Sequence, residues 1–121
     1  MTPPDPVRSV IERFHEAVNR RDVDAVVAAV TDDCVFESTL PPDGDRYEGP
    51  AAIGAFFRKL FDAAAERTFD IEEVITSRDR AVMRWQHHWV DTSGTAGHIR
   101  GVDVFRVRDG KVAEKLSYVK G

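Results

Sequence analysis

The chain has 121 residues, 42% of them hydrophobic, with seven Phe and a formal net charge of −4, and its pI lies near 5.5. That length fits one domain over 1–121 with a single core, and the apolar content excludes a disordered chain. The acidic balance argues against nucleic-acid binding, no apolar run approaches the ~20 residues of a membrane span, and Met1-Thr2-Pro3-Pro4-Asp5 has no signal-peptide core.

In chain order, Asp5 is expected to cap and Pro6 to start a helix whose apolar stripe is Val7, Val10, Ile11, Phe14 and Val18. Asn19-Arg20-Arg21 interrupts it, and Asp22 caps a second short helix carrying Val23, Val26, Val27 and Val30. A brief strand from Cys34 to Ser38 precedes Leu40-Pro41-Pro42-Asp43-Gly44-Asp45, which can only be a loop. Gly49-Pro50 opens a third helix with the stripe Ile53, Phe56, Phe57, Leu60, Phe61 and Ala64. From Thr68 the apolar period becomes two, which predicts strands near 68–77, 80–91, 97–108 and 111–119. Turns are expected at Arg78-Asp79, Ser93-Gly94 and Asp109-Gly110. Three helices followed by an antiparallel meander imply an α+β fold. The expected shape is a cone-shaped barrel, with the helices packed on a curved, mostly antiparallel sheet and a pocket between the layers.

The oddest residue is Asp103, a carboxylate inside Gly101-Val102-Asp103-Val104-Phe105-Arg106-Val107 on the face of Phe105 and Val107. A lone buried charge is costly, so Asp103 needs partners or a proton. With a two-residue turn pairing Arg108 with Lys111, Asp103 lies opposite Leu116, and Phe105 opposite Glu114, which then shares the pocket face. Met83, Trp85, His87 and Trp89 form the buried face of their strand. A turn centred on Ser93-Gly94 places Trp85 near Asp103 and His87 near Gly101, so His87 approaches Asp103 diagonally. A buried histidine beside a carboxylate is a proton-transfer pair, or the two groups simply satisfy each other in the core.

Other chemistry is thinner. His87 and His88 point to opposite faces, His98 shares the outer side with His88, and no ligand spacing stands out, so neither metal nor cofactor is expected. Cys34 is the only cysteine, without an activating base nearby in sequence. It reads as a buried inert thiol in a protein of the reducing cytoplasm. His15 flanks the first helix's stripe and reads as a packing histidine at the pocket's edge.

Several segments carry a family likeness: Val10-Ile11-Glu12-Arg13-Phe14, Asn19-Arg20-Arg21-Asp22-Val23-Asp24, Thr31-Asp32-Asp33-Cys34-Val35-Phe36-Glu37, Tyr47-Glu48-Gly49-Pro50-Ala51-Ala52-Ile53, and Asp103 through Val112. With them the chain resembles the nuclear transport factor two-like superfamily, the cone-shaped α+β fold of ketosteroid isomerases and SnoaL-like polyketide cyclases. In the isomerases an aspartate base works with a tyrosine and a protonated aspartic acid. The resemblance puts Asp103 on the protonated acid, Phe14 on the tyrosine and Ser38 on the base. Phe14 donates no hydrogen bond and Ser38 has no accessible base pKa, so ordinary steroid isomerisation is not expected. In the cyclases an acidic residue on this late strand serves an aldol closure, which implies that role for Asp103. Related epoxide hydrolases use an Arg and Asp pair in this region, but Arg100 has the opposite parity to Asp103 and should point away.

The resemblance thus implies a pocket for a small apolar or polyketide-like ligand with Asp103 in the acidic role, and the strand register offers His87 as its catalytic partner. Its walls are expected to be Phe14, Phe36, Ser38, Phe57, Leu60, Trp85, Trp89, Phe105, Leu116 and Tyr118. The alternatives are an apolar ligand bound without turnover, and an interaction module whose cone is filled by side chains. The outer sheet face, with Val82, Arg84, Gln86, His88, Val102, Val104, Arg106 and Val119, is apolar enough to predict a homodimer there.

Overall fold

The computed structural model describes residues 5–120, without the side chains of Ala64 and Ala65. The reading of Met1-Thr2-Pro3-Pro4 as lacking a leader core lies outside this description, and Ala64, read as the end of the third helix's stripe, opens a strand instead. The chain runs through α1 (Pro6–Asn19), α2 (Val23–Ala28), β1 (Val30–Glu37), β2 (Arg46–Glu48), α3 (Gly49–Asp62), β3 (Ala64–Ser77), β4 (Arg80–Asp91), β5 (Ala96–Arg108) and β6 (Lys111–Val119). The sheet order is β2-β1-β6-β5-β4-β3. Only β1 and β6 run parallel, and every other neighbouring pair is antiparallel. This is the α+β cone, an open curved sheet with helices on its concave face. Among the described residues no helix is long and apolar enough to cross a membrane.

Local chemistry sets the helix ends. Asp5 Oδ1 accepts from the backbone N–H groups of Val7 (3.0 Å) and Arg8 (3.2 Å), and Asp22 Oδ1 accepts from Ala25 N–H at 3.0 Å. Each supplies an acceptor to amides that have no partner inside the first turn. α1 buries Val10, Ile11, Phe14, His15, Ala17 and Val18, and α3 buries Ile53, Gly54, Phe57 and Phe61. Their rings meet edge to face, Phe14 lying 5.8 Å from Phe36, 6.1 Å from Phe57 and 6.2 Å from Phe105, a geometry that adds to simple area burial.

Several boundaries differ from expectation. Val30, read as part of the second helix, opens β1, and Ser38 falls outside that strand. β2 has only three residues, too few to leave a period. The hairpin between β4 and β5 pairs Val90 with Ala96, so Met83 and not Trp85 faces Asp103, Trp85 faces Gly101, and His87 faces Ile99. Asp91 N–H reaches Thr95 carbonyl oxygen at 2.9 Å around Thr92-Ser93-Gly94, with Gly94 at φ 87°. The turn is therefore a three-residue loop with glycine in the left-handed region, and each extra residue in a loop moves the register.

The larger correction is in β6. The tight turn forms as read, Asp109 (φ 53°) and Gly110 (φ 73°) both taking the left-handed backbone that a type I′ turn requires, and Arg108 pairs with Lys111. A bulge then follows, because Val107 pairs with Val112 while Arg106 pairs with Glu114. Ala113 is the extra residue, and both it and Val112 are buried. One inserted residue turns every later side chain to the other face. Asp103 consequently faces Ser117 and Phe105 faces Lys115. Glu114, Leu116 and Tyr118 stand on the outer face, while Val119, read as outward, packs against the core.

Candidate functional site

A cavity of about 420 Å³ opens between α1, α3 and the concave face of the sheet, a volume suited to one small organic molecule. The cone is therefore not filled by its own side chains. Phe14, His15 and Val18 of α1 and Phe56, Phe57 and Leu60 of α3 form one side. Phe36, Glu37, Ser38, Thr39, Leu40 and Tyr47 line it from β1, β2 and the loop between them, and Arg67, Phe69, Met83, Trp85, His87, Trp89, Ile99, Asp103, Lys115 and Ser117 form the sheet side. Of the expected wall residues, Phe14, Phe36, Ser38, Phe57, Leu60, Trp85 and Trp89 line it. Phe105 is fully buried behind the wall. Leu116 and Tyr118 do not line it, since the bulge turned them outward and put Lys115 and Ser117 in their place.

Asp103 and His87 both line the cavity, yet they do not meet. Asp103 is 3% exposed, and its Oδ2 lies 3.4 Å from Lys115 Nζ. Lys115 also donates to Ser117 Oγ at 2.9 Å and sits 5.1 Å from the centre of the Phe36 ring. The second oxygen, Asp103 Oδ1, is buried without a hydrogen-bond partner. The partner that the carboxylate needed is thus a lysine from β6, hidden from sequence reading by the bulge.

His87 pairs with Arg67 instead, Nη1 to Nε2 at 2.6 Å. Arginine only donates, so His87 Nε2 accepts and its ring proton sits on Nδ1. Burial, and next the Arg67 cation, push the His87 pKa down to about 3. A neutral imidazole whose lone pair is already taken is no proton shuttle for Asp103. His15 is also depressed below the ordinary histidine value, chiefly by burial. It donates from Nε2 to the Phe69 carbonyl at 2.7 Å. Asn19 flanks it, accepting from Phe69 N–H (2.9 Å) and donating to the same carbonyl (3.0 Å). The end of α1 therefore clamps β3 at Phe69, whose ring stacks on His87 with centroids 4.1 Å apart.

The remaining candidates resolve simply. Ser38 Oγ accepts from Asp45 N–H at 2.9 Å, closing the loop between β1 and β2 beside the cavity. Cys34 is fully buried, and burial raises its thiol pKa to about 12. Arg100 stands on the outer face, 3.3 Å from Glu72. Arg67 escaped sequence reading because it precedes the expected start of its strand, although its alternation with Phe69 was the available signal.

The SnoaL-like domain model matches residues 11–115. An NTF2-like protein of unknown function from Mesorhizobium loti is 31% identical, with TM-score 0.80 over 99% of this chain and 98% of that one. TerC, co-crystallized with polyporic acid, is 18% identical with TM-score 0.85, covering 96% of this chain and 92% of that one. An LEH-like epoxide hydrolase of Mycobacterium tuberculosis is 18% identical with TM-score 0.81, covering 95% and 83%. These last two likenesses are of fold. Among curated proteins none matches.

Proposed function

We propose that this chain, which belongs to the SnoaL-like domain family of the NTF2-like superfamily, binds a small, largely aromatic carbonyl compound and moves a proton on it through Asp103. The observation that carries this reading is the divided state of the carboxylate. One oxygen lies 3.4 Å from the Lys115 ammonium and the other is buried without a partner, on a residue that lines the cavity. An oxygen so placed accepts the acidic hydrogen from carbon beside a ligand carbonyl, and the resulting enolate oxygen is stabilised by nearby donors. The Lys115 ammonium, 3.4 Å from Asp103, is such a donor, and the indole N–H of Trp85 is a further unpartnered donor on a residue of the cavity wall. Return of the proton to a different carbon gives an isomer. Alternatively, the enolate carbon attacks a second carbonyl of the same molecule, and Asp103 hands the proton to the new alkoxide as a ring closes. His87 has no part in the transfer, for its lone pair is engaged by Arg67.

The test is hydrogen exchange in D2O with 2-tetralone, a bicyclic enolisable ketone, followed by NMR. Wild type should speed deuterium entry at the carbon beside the carbonyl, and Asp103→Asn should lose about 100-fold or more of that rate. Equal rates in the two proteins would remove Asp103 from the chemistry. A second reading, binding without turnover, is favoured by Phe14 and by a Ser38 hydroxyl already used within its loop. Tight binding of 2-tetralone without any exchange would establish it.

We further propose that two copies pair through the outer sheet face. There Ile75, Val82, Val104 and Leu116 are successive cross-strand partners, an apolar row over four strands.

A further inference from the structure

Charge around the cavity does not balance. Asp103 has Lys115, and Glu37 has Arg46 at 3.5 Å. Among the described residues, Arg67 has no carboxylate within ion-pair distance. Its Nε is buried with no hydrogen-bond partner, and among the described residues its side chain's hydrogen bond goes to the neutral imidazole of His87. Burial, then repulsion from Arg21, holds its pKa below the ordinary arginine value. A partly buried cation given only a neutral acceptor is less favourable than one that an anion meets.

We propose that Arg67 receives an anionic group of the ligand, a carboxylate or an ionised enol, so that the substrate class is an aromatic oxyacid bound by its acid end. This rests on the reading of the cavity as the site of a small aromatic ligand. The guanidinium is set in advance for that task. His87 fixes Nη1, Phe69 stacks on His87, and Trp89 lies 5.1 Å from the same imidazole. Phe69 is in turn held by His15 and Asn19. A planar donor fork held in one orientation is suited to a planar oxyanion. The distance also selects ligands. Asp103 faces Met83, and Arg67 contacts His87, four positions further along β4. Four strand residues span about 13 Å of backbone, so the two groups belong to separate parts of the cavity wall and a ligand that meets both is longer than a single ring.

The experiment compares 2-naphthoate with 2-naphthamide, isosteres that differ in charge, by calorimetry on the full chain. Wild type should bind the naphthoate at least tenfold more tightly, and Arg67→Met should bring the two within twofold. A ratio near one in wild type overturns the proposal. So does a ratio that survives Arg67→Met, or one that is lost in Lys115→Met and kept in Arg67→Met, which would put the anion on Lys115. Should Arg67→Met not fold, the wild-type Arg67 Nε–H resonance decides: it must shift with naphthoate and stay in place with naphthamide, and an unmoved signal refutes the assignment. Neither probe has an enolisable hydrogen, so this outcome is independent of whether Asp103 transfers a proton.

Discussion

His87 shows how a setting can remove a residue from the chemistry its type suggests. Its pKa is about 3, lowered first by burial and then by Arg67, against about 6.5 in an unfolded chain. Between those values the unfolded chain binds a proton at His87 that the folded chain refuses. Stability therefore rises with pH across the window, is complete above pH ~6.5, and declines as pH falls through it. His15, also depressed by burial, acts in the same direction. Urea unfolding at pH 7 and pH 4 should show wild type losing more stability than His87→Gln, whose side chain does not titrate. The difference should be on the order of 2 kcal/mol after allowance for solvent screening. Equal losses would mean that His87 is charged in the folded protein, and with it the acceptor role toward Arg67 would fall.

At the scale of elements, the four strands of the meander were readable in the sequence, and β2 and the registers were not. Period-two alternation marks which residues of a strand share a face, so the inward set Met83, Trp85, His87 and Trp89, with Asp103 on the next strand, followed directly. Alternation carries no information on a residue inserted past a turn. That is why the Ala113 bulge hid Lys115 and Ser117 from the site and credited Leu116 and Tyr118 to it. The adjacent apolar pair Val112-Ala113, both buried, was the trace it left. A second signal lay in the glycines of β5. Trp85 and Trp89 pair across the strands with Gly101 and Gly97, so each indole lies over a position with no side chain. A Cβ on Gly101 would lie 2.4 Å from the Tyr118 carbonyl oxygen and 2.8 Å from the Trp85 ring, whereas one on Gly97 would meet only the Trp89 ring, at 2.5 Å. Backbone cannot yield as a half-buried ring can. Gly101→Ala should therefore cost about 1–3 kcal/mol in urea unfolding, and Gly97→Ala less, with the displaced Trp89 weakening 2-naphthoate binding instead. The opposite order of losses would contradict this account of the paired glycines.

For the whole molecule, the two faces of the sheet divide the work. The concave face holds the cavity, and the convex face carries the row Ile75, Val82, Val104 and Leu116, of which Ile75 is 54% exposed. Ion pairs border the row, among them Arg84 with Glu73 at 3.0 Å, Arg100 with Glu72 at 3.3 Å and Arg80 with Glu114 at 3.0 Å. A surface bearing both signs around an apolar centre is complementary to itself under a two-fold rotation, as an isologous dimer demands. Pairing there leaves the cavity untouched, because its lining belongs to the concave side. Sedimentation equilibrium at low micromolar concentration should give a dimer. Val104→Glu, a charge in the middle of the row, should give a monomer with the same 2-naphthoate affinity, since Val104 stands on the face away from Asp103. Wild type sedimenting as a clean monomer would dismiss the dimer, and a monomeric variant that has lost the ligand would show that the two faces are coupled.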